Sequence, residues 1–241
     1  RTQKSPTVAA RVTIGKIGFG SAVLSSVCGA AYGIAVIAVF VSSLNIQPTV
    51  AQQGWTGIDD FLLTFQPIAM LPLFPSLLLA PAFTALMVSI HAYAAEDKKI
   101  WGSLGLAFTL IYAAMAAMNY LVQLLPVWRS INHGETDGLA MFVLGNPHSI
   151  FWALAYAYLF MNLAMLFSAM VFAGNRLENR IRLLFILNGI SGVVTLTSAF
   201  LDSYQFYLIG SLVIWCPIFT AAAIFVAVLF NRTIKEAALN S

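Results

Sequence analysis

The sequence predicts an all-α integral membrane protein in which six transmembrane helices form one bundle. The first observation is composition: of 241 residues, 60% are apolar and only 9% are charged, against about 25% charged in an ordinary soluble domain. The second is that the apolar residues fall into six runs, each long enough to cross a bilayer. The third is that the basic residues are concentrated on alternate connections between these runs. We therefore expect the lipid bilayer to be the solvent for much of the chain.

The six runs define six spans within a single transmembrane domain that covers residues 1–241. A span must cross about 30 Å of hydrocarbon at about 1.5 Å per residue, and the cores of all six are free of formal charge. Ser149 follows the turn pair Asn146-Pro147, so we expect it to cap the fourth span. The spans are expected at about 17–44, 75–94, 100–125, 149–172, 181–201 and 206–230.

The second span is preceded by an uncharged stretch that is rich in proline. Residues 61–94 form one apolar segment of 34 residues, which as a single helix would be about 51 Å long and would exceed the hydrocarbon thickness. Four prolines lie between Phe65 and Pro81, and each removes a helical hydrogen bond. We expect a proline-broken second helix, with 61–74 interfacial, re-entrant or part of the span. Because its freed backbone groups need partners, this segment either packs against other helices or lines a substrate site.

The charges on the connections predict the orientation. Eleven of the twelve Lys and Arg residues lie in the N-terminal arm, the second and fourth connections and the tail, and only Arg129 lies on the other side. The positive-inside rule then places both termini in the cytoplasm. We expect a plasma membrane or a bacterial inner membrane, and we expect no nucleic-acid partner.

Small residues at helical spacing predict where helices meet closely. Helices in lipid associate where small side chains let two backbones approach. Such faces occur on the first, third and fifth spans, and they fit contacts within the chain or with another subunit or a second copy. The predicted packing residues are Ser25, Gly29, Gly33, Ala113, Ala117, Gly189 and Gly192.

Polar and aromatic side chains within and beside the spans are the candidates for ligand binding. Asn119 and Gln123 are four residues apart and share one helix face, and the fourth and sixth spans are rich in rings that could shape a pocket for a lipid, quinone or pigment. The alternative is that the amides bond one another across helices, at about 0.6 kcal/mol per contact, and that the rings fill the bundle. The ligand-binding candidates are Gln66, Asn119, Gln123, Tyr156, Asn162 and Trp215.

The sequence offers no motif for catalysis or for a bound metal. It contains no H-E-x-x-H, G-x-S-x-G or C-x-x-C motif and no phosphate loop. His91, His133 and His148 do not pair at matching depth as a haem would require. A solvated loop explains His133, Glu135 and Asp137 more simply than a metal site does. We predict no catalytic and no metal-binding residues, and the sequence leaves the cofactor open.

Three functions are compatible with these observations. The first is a non-catalytic subunit or scaffold of a larger membrane complex, which short connections and small-residue faces favour. The second is a binding or transport protein for an apolar or weakly polar small molecule, with its pocket between the proline-broken helix and the aromatic spans. The third is a membrane-embedded enzyme that acts on a lipid-like substrate, which the lack of a catalytic motif disfavours. The first of these is the expectation from sequence.

Overall fold

The computed structural model describes residues 8–43, 55–201 and 209–239, and these residues form helices and their connections without a strand. The described residues include two π-helical turns, Gln123–Val127 and Ile209–Trp215, which precede the helices that begin at Trp128 and Cys216. The α-helices, numbered along the chain, are α1 Val8–Ser43, α2 Ile58–Thr64, α3 Leu73–Tyr93, α4 Lys99–Val122, α5 Trp128–His133, α6 Ile150–Ala155, α7 Ala157–Ser168, α8 Arg176–Phe200 and α9 Cys216–Leu239.

Six helical segments are long and apolar enough to cross a membrane, as the sequence predicts. The first and last extend beyond the predicted spans at their basic ends, since α1 begins at Val8 and α9 continues to Leu239. The predicted end of the first span at residue 44 and start of the sixth at residue 206 lie outside the described residues. The six segments are Ala9–Ser42, Pro67–Tyr93, Glu96–His133, Ile150–Val171, Arg176–Thr197 and Leu212–Leu239.

The long helices form a closed ring. Along the chain, α1 packs on α3, α3 on α4, α4 on α7, α7 on α8 and α8 on α9. Helix α9 then packs along α1, which joins the last helix to the first. Aromatic side chains fill the interior: Phe83 of α3 meets Tyr112 of α4 at a ring-centroid distance of 5.7 Å and Phe219 of α9 at 6.0 Å. Each helix therefore has one face on this interior and another on the outside.

The predicted small-residue face of α1 forms the contact with α9. A Cβ atom added to Gly29 would lie 2.8 Å from the Thr220 hydroxyl oxygen, and one added to Gly33 would lie 2.7 Å from the Cys216 sulfur. The Cys216 thiol donates a hydrogen bond of 3.2 Å to the carbonyl of Gly29. The absence of side chains at these two glycines lets the backbones approach closely, as in other membrane helix pairs.

The other small residues lie at two further contacts of the ring. Between α7 and α8, a Cβ on Gly189 would meet Leu166 at 2.7 Å, and one on Gly192 would meet the amide of Asn162 at 2.9 Å. Between α4 and α7, Gly105 lies against Ser168 and the backbone of Ala164. For the other three residues of the predicted packing set, the support is burial alone. Ser25 is fully buried, and Ala113 and Ala117 are half-buried.

The proline-rich stretch contains two changes of direction before α3. The short helix α2 ends at Thr64, Phe65 and Gln66 are extended, and Pro67–Met70 forms a single 3-10 turn. Pro72 then caps α3, where the hydroxyl of Ser76 donates to the Pro72 carbonyl at 2.8 Å. Helix α3 starts at Leu73, two residues before the predicted start, and it continues through Pro81.

Both π-helical turns lie at prolines outside that stretch. Pro126 is inside the turn that joins α4 to α5, and Pro217 lies two residues beyond the turn that leads into α9. A proline removes one N–H group and its ring clashes with the carbonyl four residues earlier. Widening the helix by one residue per turn accommodates that clash without ending the helix. The sequence predicts helix distortion only within residues 61–94, so both π-helical turns are additional.

Candidate functional site

Four hydroxyl groups meet inside the ring, near the end that carries the 123–149 connection. We call Ser76 of α3, Tyr112 and Tyr120 of α4 and Tyr158 of α7 the tyrosine cluster. The Tyr120 hydroxyl donates to the Tyr158 hydroxyl oxygen at 3.2 Å. The Tyr112 ring contacts the Tyr158 ring at a centroid distance of 5.6 Å, and its hydroxyl makes no hydrogen bond within the described residues. The Ser76 hydroxyl lies close to the Tyr158 oxygen. These groups come from three helices, so only the assembled ring brings them together.

Three aromatic rings from the two ends of the chain stand beside the tyrosine cluster. We call Tyr32 of α1, Trp215 and Phe219 the aromatic wall. Trp215 stacks on Phe219 with centroids 5.1 Å apart and an angle of 4° between the planes. Tyr158 and Tyr32 approach Trp215 edge-on, at centroid distances of 4.9 and 5.8 Å. Offset and edge-to-face arrangements such as these stabilise aromatic contacts by about 0.5–1.5 kcal/mol each.

Two buried side chains near this cluster carry polar atoms that make no hydrogen bond within the described part of the chain. Trp215 is 3% exposed, and its indole nitrogen has no partner there. Asn119, one residue before Tyr120, is fully buried with neither amide atom bonded. Leaving a buried polar group without a partner costs about 1–3 kcal/mol, and the hydrocarbon around a membrane helix offers no water to replace it. These atoms are therefore the most direct indication of a ligand.

An apolar groove lies on the surface between the proline-rich stretch and the end of α4. It has a volume of about 480 Å³ and is lined by residues that include Pro67, Met70, Leu71, Phe74, Leu124 and Trp128. Met70 and Leu124 also pack against the buried core of the ring. Leu124 is one helical turn from Tyr120, and none of the cluster or wall residues lines the groove itself.

The opposite end of the ring is held by Tyr93. The Tyr93 hydroxyl donates to a carboxylate oxygen of Glu178 at 2.9 Å. Its ring contacts Phe172 at 6.4 Å and Phe230 at 6.0 Å. The second carboxylate oxygen of Glu178 accepts from the backbone N–H of Ala173 at 3.1 Å. One tyrosine thus joins α3 to the α7–α8 connection, to α8 and to α9.

Gln123 and Gln66 have different environments, although sequence reasoning grouped them. The Gln123 side chain is buried and bridges the following connection: its nitrogen donates to the carbonyl of Phe142 at 2.7 Å, and its oxygen accepts from the N–H of Leu144 at 3.0 Å. Both ends of that amide are therefore used by the chain. Gln66 is half-buried, one residue before Pro67 of the apolar groove, and its side chain makes no hydrogen bond that caps a helix.

Asn162 forms a contact between helices. Its carbonyl oxygen accepts from the amide nitrogen of Asn188 at 2.8 Å, and that nitrogen also lies 3.0 Å from the Met165 sulfur. The amide nitrogen of Asn162 and the carbonyl oxygen of Asn188 make no bond within the described part of the chain. This is the cross-helix arrangement that the sequence analysis considered as the alternative to ligand binding.

Tyr156 and Trp215 complete the predicted set. Tyr156 is half-buried at the junction of α6 and α7, with its ring against Trp152 at 6.3 Å, outside the tyrosine cluster. Trp215 lies in the aromatic wall. Of the six candidates, the structure thus brings only Trp215 into direct contact with the tyrosine cluster. It also adds Ser76, Tyr112 and Tyr158, which sequence reasoning did not select.

A signal for these additional residues was present in the sequence. Tyrosines of membrane helices are enriched at the two interfaces, whereas Tyr112 is in the middle of its apolar run. A phenol there needs a hydrogen-bonding partner or a ligand.

Within the described residues, no group of three or more His, Cys, Asp or Glu side chains could hold a metal ion. Comparison of this chain with known proteins gives no match among family models, curated proteins or solved structures.

Proposed function

We propose that the chain is a polytopic membrane protein that crosses the bilayer six times with both termini in the cytoplasm, in a plasma or bacterial inner membrane. The proposal is supported by six helices of sufficient length and apolarity and by the basic residues on one set of connections. Residues 58–72 then lie at the outer interface, and the prolines divide the long apolar segment there. A cysteine at Ser130 should react with an impermeant thiol reagent on intact cells, and one at Asp97 should react only after permeabilisation. The reverse pattern would contradict this orientation.

We further propose that the ring binds, and in a transport cycle moves, a small uncharged molecule of weak polarity. The observation that carries this proposal is the indole N–H of Trp215, which is buried beside the tyrosine cluster and bonded to none of the described residues. None of the cluster and wall residues carries a formal charge at neutral pH, so a charged ligand would lose its hydration without an opposite charge nearby. The neighbouring groove supplies an apolar volume from which such a molecule can approach.

The packing of the predicted small residues favours ligand binding over a subunit role in a larger complex. Gly29, Gly33, Gly189 and Gly192 were compatible with an interface to another chain, and each packs within this one. The small residues thus find their partners within the chain. By contrast, hydrogen bonding of the polar groups inside the ring is incomplete without an additional molecule.

The experiment is to identify the small molecules that co-purify with the full chain after gentle extraction from its native membrane. The wild type should retain one compound at a fixed molar ratio. The double variant Tyr120→Phe/Tyr158→Phe keeps both rings and removes the hydroxyl pair, so it should retain several-fold less of the compound. Tyr156→Phe is the matched control and should retain the wild-type amount. Recovery of no compound, or equal recovery from all three proteins, would refute the proposal.

A subunit role in a larger membrane complex is the second candidate, and one observation favours it. Gly20 lies on the outer surface of α1 with no atom within 4 Å of where its Cβ would be. Another helix can approach closely at such a position. A Gly20→Leu variant that loses partner chains on extraction would support this role, whereas unchanged composition would remove its structural support.

A further inference from the structure

We infer that the ligand is a flat, uncharged molecule that carries a carbonyl oxygen, of the aromatic ketone or quinone class. This inference rests on the proposed function, because it concerns the occupant of the same site. It is drawn from which hydrogen-bonding atoms lack partners and from the arrangement of the rings around them.

The unpartnered atom at the aromatic wall is a pure donor. An indole N–H cannot accept a hydrogen bond, so only an acceptor on the ligand can satisfy Trp215. The Tyr112 hydroxyl, which has no partner within the described residues, and the Tyr158 hydroxyl, which accepts from Tyr120, can each donate a further proton close by. An ammonium group would bring a charge that no residue of the cluster or the wall balances. A carbonyl oxygen has two lone pairs and can accept from the indole and from a phenol together.

The rings favour a flat molecule. Trp215 and Phe219 are nearly parallel, while Tyr158 and Tyr32 present their edges to Trp215. Aromatic side chains bind other aromatic rings in these same offset and edge-to-face arrangements. A planar ring system can therefore take a place beside the wall in a geometry that the wall already uses internally, whereas a branched aliphatic chain would not exploit it.

The neighbouring groove accounts for access. Its lining is largely apolar and includes Met70 and Leu124, which also contact the core of the ring. A flat apolar molecule can partition into this groove from the bilayer. The cluster residue nearest to the groove along α4 is Tyr120, one helical turn from Leu124.

The test compares two probes that share a shape and differ at one group. The full chain in lipid nanodiscs is equilibrated with 9-fluorenone or with fluorene, and bound probe is measured above that in empty nanodiscs. The wild type should bind fluorenone at least about fivefold more tightly than fluorene. Trp215→Phe should weaken fluorenone binding by about 3- to 10-fold, the loss expected for one hydrogen bond, and should leave fluorene binding unchanged. The control Trp101→Phe alters a half-exposed tryptophan that stacks on Phe167 and should have no effect on either probe.

The contrary outcomes separate this inference from the proposed function. Equal affinity of the wild type for the two probes would overturn the carbonyl requirement, even if the native preparation retains a ligand. A native ligand without an acceptor oxygen would overturn it as well. If Trp215→Phe does not fold, the ratio of the two wild-type affinities still decides the question. The proposed function itself fails if the extracted chain carries no small molecule, or if the Tyr120→Phe/Tyr158→Phe variant retains as much of it as the wild type does.

Discussion

At the scale of single residues, the buried polar side chains divide by whether their hydrogen bonds are complete. Gln123 and Asn146 each use both ends of the amide to hold the backbone of the connection between α5 and α6. Ser149 accepts from the N–H of Trp152 and so caps α6, as the sequence predicts. Trp215 and Asn119 retain polar atoms without a partner among the described residues. Complete groups stabilise the fold, and incomplete groups are where a ligand can bind.

The bridge made by Gln123 leads to a prediction about stability. Gln123→Leu removes two hydrogen bonds and leaves the Phe142 carbonyl and the Leu144 N–H without their side-chain partner. We expect the free energy of unfolding to fall by about 2 kcal/mol or more, measured by denaturant titration in mixed micelles. Gln66→Leu is the control at a half-buried amide without a capping bond, and its effect should stay within about 0.5 kcal/mol. Equal effects of the two substitutions would contradict the structural role of Gln123.

At the scale of the helices, small residues determine how closely neighbours pack. Gly105 brings α4 against α7, as Gly29 and Gly33 bring α1 against α9. In the proposed membrane, where lipid is as apolar as the side chains, burial of apolar surface would not select these partners. Steric fit of one backbone against another does so instead.

Gly105→Ala tests this account of the α4–α7 contact. The added Cβ would lie 2.9 Å from the Ala164 carbonyl oxygen and would overlap the Ser168 hydroxyl. Overpacking of this kind typically costs about 1–3 kcal/mol, which should appear as a lower unfolding midpoint in the same titration. Gly20→Ala, where nothing lies within 4 Å, should be neutral or raise stability by up to about 1 kcal/mol through helix propensity. Similar destabilisation at both glycines would show that the contact has been misassigned.

The helices could be predicted from sequence better than their partners could. Long uncharged runs indicate membrane helices directly, and Ser149 is a local signal for a helix start. The extension of α1 to Val8 and of α9 to Leu239 was not predicted, because it depends on the two helices packing together beyond the apolar runs, where Gly15 meets Ile234. The tyrosine cluster was not predicted either, since Ser76, Tyr112 and Tyr158 are brought together only by the ring.

At the scale of the whole molecule, the contact between α1 and α9 closes the ring and creates the interior. This contact joins the two ends of the chain, so every residue of the candidate site depends on it. The Tyr93–Glu178 hydrogen bond holds the opposite end of the ring.

Ring closure predicts a specific disulfide. In a Cys28→Ala background, the Cβ of a Gly33→Cys variant would lie 2.7 Å from the Cys216 sulfur. The two sulfurs can therefore reach the disulfide length of about 2.05 Å. Mild oxidation should remove both free thiols, as shown by alkylation and intact mass. Gly20→Cys in the same background has nothing within 4 Å of its Cβ and should keep both thiols. Thiols that remain free in the Gly33→Cys variant would argue against the α1–α9 contact.

The most direct test of the central claim is the mass of the intact protein, released gently from its native membrane and measured under non-denaturing conditions. We predict one chain, or a simple multiple of it, with a reproducible excess mass from a bound small molecule that is reduced in the Tyr120→Phe/Tyr158→Phe variant. Other protein chains at fixed stoichiometry and no small molecule would contradict the ligand-binding account and would make this protein a subunit of a larger complex.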